Sequence, residues 1–448
     1  MARQLYSVLL HLALPWLLLR LWWRGRKEPG YREEWQQRLG VYPARPHAGL
    51  QNQSLIWLHA VSLGETRAAQ PLVEALLARH PDHRLLITHM TATGRAAAQS
   101  LYGSKAELAW LPYDFTWAMA RFYAYFQPGL GILMETEVWP NLARTARARG
   151  TPLILANARL SEKSLAGYRR VGALAREAFA GLIVAAQTEA DAARIKRLGA
   201  ENVAVTGNLK FDSNPSAAAT GASDALRRLF GTGRVFLAAS TREGEEALLL
   251  DALTRTPLDA SASLDAPAGA VTDAVPAAVT AAVTPTVTVI VPRHPQRFNA
   301  VAALLQQRGI AFTRRSENRP LPAGCHVMLG DSLGEMPLYY AACDCAFIGG
   351  SLLPFGGQNL IEACAQGTPV LIGPQTFNFA EAAEQAVAAG AALRVDSAAA
   401  LVREVRTLLA DGGRRARMGE AGRAFCASHR GATARTMEMI DAALSGVR

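Results

Sequence analysis

Cysteine is sparse in this chain and poorly placed for cross-linking. The five residues, Cys325, Cys343, Cys345, Cys364 and Cys426, all lie in the second half, odd in number and without paired spacing. That excludes a disulfide framework and points to a reducing compartment. Cys343 and Cys345 stand two apart where a strand begins, unlike a metal-ligand pair, and read as small buried apolar residues. Lysine is scarce too. Arginine carries the basic charge, and no long basic run or aromatic–basic stripe is present, which argues against a nucleic-acid partner. At the N-terminus the uncharged apolar run lasts only from Leu5 to Leu19 before Arg20 interrupts it. That is roughly 22 Å of helix against the roughly 30 Å of a bilayer core, with Pro15 inside it to kink it.

What is present is size, apolar content and positive charge. The 448 residues exceed one ordinary domain and predict two of about 200 residues, and 50% hydrophobic residues give each a full core. A formal charge of +10 and a pI near 9.7 call for a polyanionic partner, either a membrane surface or a phosphorylated substrate. Trp16, Trp22 and Trp23 with Arg20, Arg24, Arg26 and Lys27 are residue types that settle at a lipid interface. No small-residue cleavage site follows. Residues 1–30 therefore read as an anchor in the inner leaflet or a tilted span, with the body on the cytoplasmic side of the inner membrane.

From Ser54 onward short apolar runs alternate with amphipathic stretches. Strands are expected at Leu55–His59, Leu85–Met90, Leu108–Pro112, Leu130–Met134, Pro152–Ala156, Leu182–Ala186 and Val203–Val205. The alternation restarts with Val235–Ala239, Val287–Val291, Ala311–Arg314, Val327–Leu329, Cys345–Ile348, Pro369–Ile372 and Ala392–Val395. Such alternation means parallel sheets covered on both faces. The fold class is α/β, with two doubly wound, Rossmann-like domains facing a cleft. The boundaries read as 31–213 for the first domain, 214–223 for a small-residue linker and 224–430 for the second domain. Residues 257–286 are a low-complexity insertion. Residues 431–448 carry a closing helix, expected at Thr433–Leu444, that crosses back to the first domain.

Ligands of such sheets bind beyond the strand carboxyl ends, and chemistry-bearing motifs sit there. HAVSLGE (His59–Glu65) leaves Glu65 at a helix start, either as a general base or as a carboxylate satisfying the helix dipole. That dipole lowers the pKa of Glu65 while burial raises it. METEVWPN (Met134–Asn141) alternates Glu135 and Glu137 on an extended segment, and no third hard ligand stands at a spacing suited to a divalent metal. GNLKFD (Gly207–Asp212) offers Lys210 to neutralise charge on a leaving group. VPRHPQRF (Val291–Phe298) offers Arg293 for bidentate phosphate contact, with His294 beside it. GDSLGE (Gly330–Glu335) and STREGE (Ser240–Glu245) are further strand-to-helix turns. Phe347–Phe379 reads as a strand, a Gly-rich turn and a helix from about Asn359 whose start suits a phosphate. Glu362, three residues on, is placed to hold a ribose with Asn359.

With these residues in view, the chain resembles the bacterial 3-deoxy-D-manno-octulosonic acid (Kdo) transferases, GT-B enzymes that move Kdo from CMP-Kdo onto the lipid A precursor. The motifs carrying the resemblance are YREEWQQRLG, HAVSLGE, METEVWPNL, LANARLSEKS, TGNLKFD, VPRHPQRF, GDSLGEM and GGQNLIEA through GPQTFNF. The resemblance implies Glu65 as proton acceptor and Glu135 and Lys210 as transition-state stabilisers. It implies that Pro292, Arg293, Leu333, Gly334, Glu335, Asn359, Leu360, Ile361 and Glu362 hold CMP. It also implies no metal, lipid IVA as acceptor and an inner-membrane lipid surface as partner. One position departs from the family, which usually has histidine before that asparagine where this chain has Gln358. Two alternatives remain at this point: a GT-B enzyme using a UDP-sugar and a lipid acceptor, or a non-catalytic nucleotide-sugar binding module.

Overall fold

The computed structural model describes residues 2–43, 54–212, 218–258 and 286–446. The chain separates into two compact units, Met1–Ser213 with His429–Arg448, and Asn214–Ser428. In the first unit seven strands form one sheet: β1 (Leu55–His59), β2 (Arg84–His89), β3 (Glu107–Trp110), β4 (Pro128–Met134), β5 (Leu153–Ala158), β6 (Ile183–Ala186) and β7 (Asn202–Val205). Their spatial order is β3-β2-β1-β4-β5-β6-β7, and every pairing is parallel. The order reverses between β1 and β4, which places a crevice at their carboxyl ends.

All five residues of β1 are buried because both faces of the sheet are covered. Leu55 and Trp57 point to one side, into a core with Phe122, Tyr123 and Leu142. Ile56 and Leu58 point to the other, against Leu72, Leu76, Met437 and Ile440. Trp57 packs edge-on against Phe122 at 4.9 Å, and its indole N–H donates to Thr88 Oγ1 at 2.8 Å, so its one polar atom is satisfied. The last helix, Ala432–Ser445, supplies Met437 and Ile440 to this core. Asp212 caps the start of that helix, accepting from the Gly431 and Thr433 N–H groups at 2.7 and 2.6 Å.

The second unit repeats the plan with β8 (Val235–Thr241), β9 (Val287–Pro292), β10 (Thr313–Arg314), β11 (Val327–Leu329), β12 (Cys345–Ile348), β13 (Val370–Ile372) and β14 (Ala392–Arg394). The order is β10-β11-β9-β8-β12-β13-β14, again parallel throughout, with the reversal between β8 and β12. Phe236, Ile290, Phe347 and Leu371 line one face with Leu249, Leu305, Leu401 and Val405. All five cysteines are free thiols. Burial pushes Cys343, Cys345 and Cys364 far above the ordinary thiol range, so they are inert packing residues.

Several elements differ from the sequence reading. A helix, Ala218–Phe230, begins inside the stretch read as linker, whose residues 214–217 lie outside the described residues. Most of the insertion, 259–285, lies outside them as well. The helix expected from about Asn359 starts at Ile361, and Gly412–Ser428 forms a helix that the sequence reading had not marked out.

The N-terminus is two helices, Ala2–Leu12 and Leu14–Lys27, meeting at 50°. The break precedes Pro15 because the ring clashes with the carbonyl four residues earlier. Among the described residues no single helix is long and apolar enough to cross a membrane; this bent pair passes only when taken together. Its outer side exposes Leu5, Val8, Leu9, Leu12, Trp16, Leu19, Trp22 and Trp23.

Candidate active site

Beyond β1 the chain turns into the helix Leu63–Ala68, with Ser62 as N-cap. Glu65 Oε2 accepts from the Val61 N–H at 2.7 Å and Oε1 from the Ser62 hydroxyl at 3.0 Å, while the Glu65 N–H points back to Ser62 Oγ at 3.4 Å. The two sequence readings of Glu65 are therefore not exclusive: the carboxylate closes the helix start and stands at the switch point of the sheet. Its pKa is pushed up to about 8, first by burial and then by the neighbouring Glu135 and Glu137, against the pull of the Val61 and Ser62 hydrogen bonds. Burial wins over the helix start.

Glu135 and Glu137 do not alternate on an extended segment as expected. Glu135 takes a left-handed backbone, φ 58°, directly after β4, with its N–H donating to Ala156 O at 2.9 Å. Glu137 is turned aside to accept from the Trp139 indole N–H at 3.1 Å. The bend separates the two carboxylates by role: Glu135 Oε1 lies 3.6 Å from Lys210 Nζ. Among the described residues no group of three or more His, Cys, Asp or Glu side chains could hold a metal ion.

Lys210 reaches Glu135 because its loop is pinned from below. Asn157, fully buried at the end of β5 with φ 54°, accepts from the Leu209 N–H at 3.0 Å through Oδ1, and the Lys210 N–H donates to Asn208 Oδ1 at 3.0 Å. Asn157 Nδ2 is buried without a partner among the described residues. The sequence reading passed over Asn157, although an asparagine directly after a strand is the residue type that tolerates a left-handed turn. It also passed over Asp114. This buried carboxylate accepts from the Asn141 and Leu142 N–H groups at 3.0 and 2.8 Å, capping the helix Pro140–Ala148, and from the Tyr6 hydroxyl at 3.0 Å. Tyr6, with Ser7 on Asn141 and Arg3 on Glu177, docks the first N-terminal helix beside the segment that carries Glu135.

In the second unit, Pro292 ends β9 and Arg293 follows it. Arg293 Nε donates to Gln358 Oε1 at 2.9 Å, so the departure at Gln358 has a defined job: its amide oxygen orients the guanidinium. Asn359 lies just before the helix Ile361–Gln366, accepting from the Ile361 N–H at 3.1 Å through Oδ1 and donating to Glu362 Oε1 at 3.0 Å. Glu335 lies at the start of the helix Met336–Ala342 and pairs with Arg315 at 2.8 Å; its Oε2 is buried without a partner among the described residues. Leu333 beside it is exposed and Gly334 has φ 83°.

The Gly-rich turn itself is not an open phosphate cradle. The buried carboxylate of Glu245 accepts from the N–H groups of Gly350 at 2.6 Å, Leu352 at 3.0 Å and Arg242 at 2.8 Å, fastening the STREGE turn to the turn after β12. Donors that a phosphate would use are thus already taken, which the glycine pattern alone could not reveal. Gly349 has a separate reason: a Cβ there would stand 2.5 Å from Ser240 O.

Two fully parallel, doubly wound sheets, each with polar residues gathered at its switch point, define a fold of the GT-B class. The fold is shared with a glycosyltransferase from Rickettsia africae (TM-score 0.56, 12% identity, 88% of this chain and 99% of that one). It is shared also with UDP-GlcNAc 2-epimerase from Neisseria meningitidis (TM-score 0.55, 14% identity, 87% and 99%). Residues 311–425 match the family described as glycosyl transferases group 1, and residues 33–213 match 3-Deoxy-D-manno-octulosonic-acid transferase (kdotransferase). The chain is 46% identical to the 3-deoxy-D-manno-octulosonic acid transferase of Bordetella pertussis, over 98% of this chain and 99% of that one. It is 35% identical to the enzyme of the same name from Haemophilus influenzae, over 98% of each. This chain belongs to the 3-deoxy-D-manno-octulosonic acid transferase family and is a glycosyltransferase that transfers Kdo in lipopolysaccharide biosynthesis.

Proposed function

We propose that the chain moves Kdo from CMP-Kdo to a hydroxyl of the lipid A precursor lipid IVA, with inversion at the anomeric carbon. The observation that carries this reading is Glu65, a buried carboxylate with its pKa raised to about 8, at the switch point of the first sheet beside the Glu135–Lys210 pair. A base is most effective when its pKa lies near the working pH. Glu65 takes the acceptor hydroxyl proton as that oxygen bonds to the Kdo anomeric carbon. The bond from this carbon to the phosphate oxygen breaks, and its electron pair leaves with CMP. Lys210, steadied by Glu135, stabilises the negative charge that develops. In the second unit Arg293, oriented by Gln358, takes the CMP phosphate, and Glu362, held by Asn359, takes the ribose. Pro292, Leu333, Gly334, Glu335, Leu360 and Ile361 complete the nucleotide contacts.

The reading extends to location. The exposed apolar side of the N-terminal helices, flanked by Arg20, Arg24, Arg26 and Lys27, supports attachment to an anionic lipid surface on the cytoplasmic face of the inner membrane. Mass spectrometry of lipid IVA after incubation with CMP-Kdo tests the reaction. The expected product is lipid IVA heavier by whole Kdo units, made by the wild type and far more slowly by Glu65→Gln. Transfer by Glu65→Gln at the wild-type rate would remove Glu65 as the base. Flotation with anionic vesicles tests the location, and binding unchanged on loss of residues 1–30 would remove the anchor.

A further inference from the structure

Ser240, near the end of β8, has φ 54°, a conformation that an L side chain rarely adopts. Its carbonyl packs so closely against Gly349 that no side chain fits between them. The turn that follows carries Arg242 to the crevice between β8 and β12, where the strand order reverses and ligands of such sheets sit. There the guanidinium lies over the Phe355 ring at 4.3 Å and its Nε donates to Glu243 Oε2 at 3.0 Å. Its two terminal nitrogens have no partner among the described residues. Arg293 and Arg242 both act on His294, whose pKa is lowered by burial first, then by Arg242 and Arg293.

The carboxylates nearby do not cancel this charge. Glu243 is shared between Arg242 and Arg297, Glu246 is spent on Arg297, and Glu245 is spent on backbone N–H groups. The fork of Arg242 is therefore held by its stem and its stacked face with its tips open, the geometry for a bidentate anion contact.

A CMP-linked sugar acid carries two anions on one carbon. The phosphate oxygen and the carboxylate are both attached at the anomeric centre, and one bidentate fork serves only one of them. We propose that Arg242 binds the carboxylate of the donor sugar acid while Arg293 binds the phosphate. Arg242 then distinguishes an acidic sugar from neutral nucleotide sugars, which lack that group. The inference rests on the reading that the second unit holds CMP-Kdo.

The test compares CMP with the intact donor. In Arg242→Gln the KM for CMP-Kdo rises about ten-fold or more, while the calorimetric Kd for CMP stays within about two-fold of wild type. Arg242→Lys, which keeps the charge without the fork, falls between, and Arg293→Gln weakens CMP and CMP-Kdo alike. A parallel loss of both ligands in Arg242→Gln overturns the proposal, because Arg242 then serves the phosphate or merely props the Phe355 turn. An unchanged KM overturns it as well. Failure of the wild type to bind CMP overturns the donor reading beneath it, an outcome distinct from either. Thermal unfolding of each variant identifies any that is misfolded, and Arg242→Lys then carries the comparison.

Discussion

Gln358 Oε1 accepts a hydrogen bond from Arg293 Nε at 2.9 Å. An amide oxygen accepts at any pH, whereas a protonated imidazole could not, so this chain fixes its guanidinium without a titrating partner. Removing the acceptor takes away a bond that orients the guanidinium, and that order must then be regained on binding. A hydrogen bond to a charged group is worth about 1.5–3 kcal/mol, and Gln358→Ala is expected to weaken CMP binding by about ten-fold or more. Calorimetry with CMP reads this directly. An unaltered Kd would mean that the Arg293 contact does not reach the nucleotide.

Glu65 makes a prediction about pH with two readouts. Its folded pKa, about 8, lies above the ordinary 4.5. Between those values the native state holds more proton than the unfolded chain, so this group's contribution to stability declines as pH rises through the window and levels off above about 8. Catalysis runs the other way, because the base acts as the carboxylate: kcat/KM rises with pH to a plateau above about 8. Glu65→Gln is expected to lose about 10²–10⁴ in kcat and to flatten the stability profile over the same window. A wild-type rate independent of pH from about 6 to 9 would contradict the assignment.

Both sheets were legible in the sequence because their strands are buried on both faces and read as continuous apolar runs. Even the short β11 (Val327–Leu329) emerged with the bounds expected. The helix Ala218–Phe230 did not, since Ala, Thr, Gly and Ser at its start look the same in a linker. Arg293 stood out because it follows β9 directly, and Glu65 and Asn359 because they stand where a strand's turn runs into the next helix. Glu245 and Asn157 did not, because what they do lies in contacts to residues far along the chain: Glu245 to Gly350 and Leu352, Asn157 to Leu209. Spacing along one segment carries no trace of a partner dozens of residues away. The left-handed backbone of Glu135, away from the extended form its neighbours implied, was hidden for the same reason: its N–H donates to Ala156 of the adjacent strand.

Glu245, the first residue of the helix Glu245–Arg255, is expected to matter strongly to stability. It is 1% exposed and accepts from three backbone N–H groups on two separate turns. Glu245→Ala leaves those donors buried and unsatisfied, at a cost of about 1–3 kcal/mol for each that finds no new partner. Glu245→Gln keeps one acceptor oxygen but turns an amide N–H₂ toward donors, and should fall between. Urea unfolding measures the loss, and proteolysis near Gly350 should quicken first, since the turn after β12 is what the carboxylate holds. A variant as stable as the wild type would show that water replaces the carboxylate without penalty.

Asn157 separates position from chemistry. It touches no reacting atom in the proposed mechanism, yet its Oδ1 holds Leu209, the residue before Lys210, and its backbone accepts the left-handed φ of 54°. Asn157→Gly preserves that backbone and deletes the hydrogen bond, whereas Asn157→Asp preserves the acceptor. If the bond places Lys210 against Glu135, Asn157→Gly lowers kcat by about ten-fold, equivalent to about 1.4 kcal/mol, and leaves KM for CMP-Kdo nearly unchanged. Asn157→Asp should recover much of the loss. A purely structural role predicts otherwise: both variants would lose stability in proportion to their strain, and the surviving folded enzyme would turn over at the wild-type rate. Active-site titration with steady-state kinetics on the folded fraction distinguishes the two, because only misplacement of Lys210 slows the step in which the charge on CMP develops.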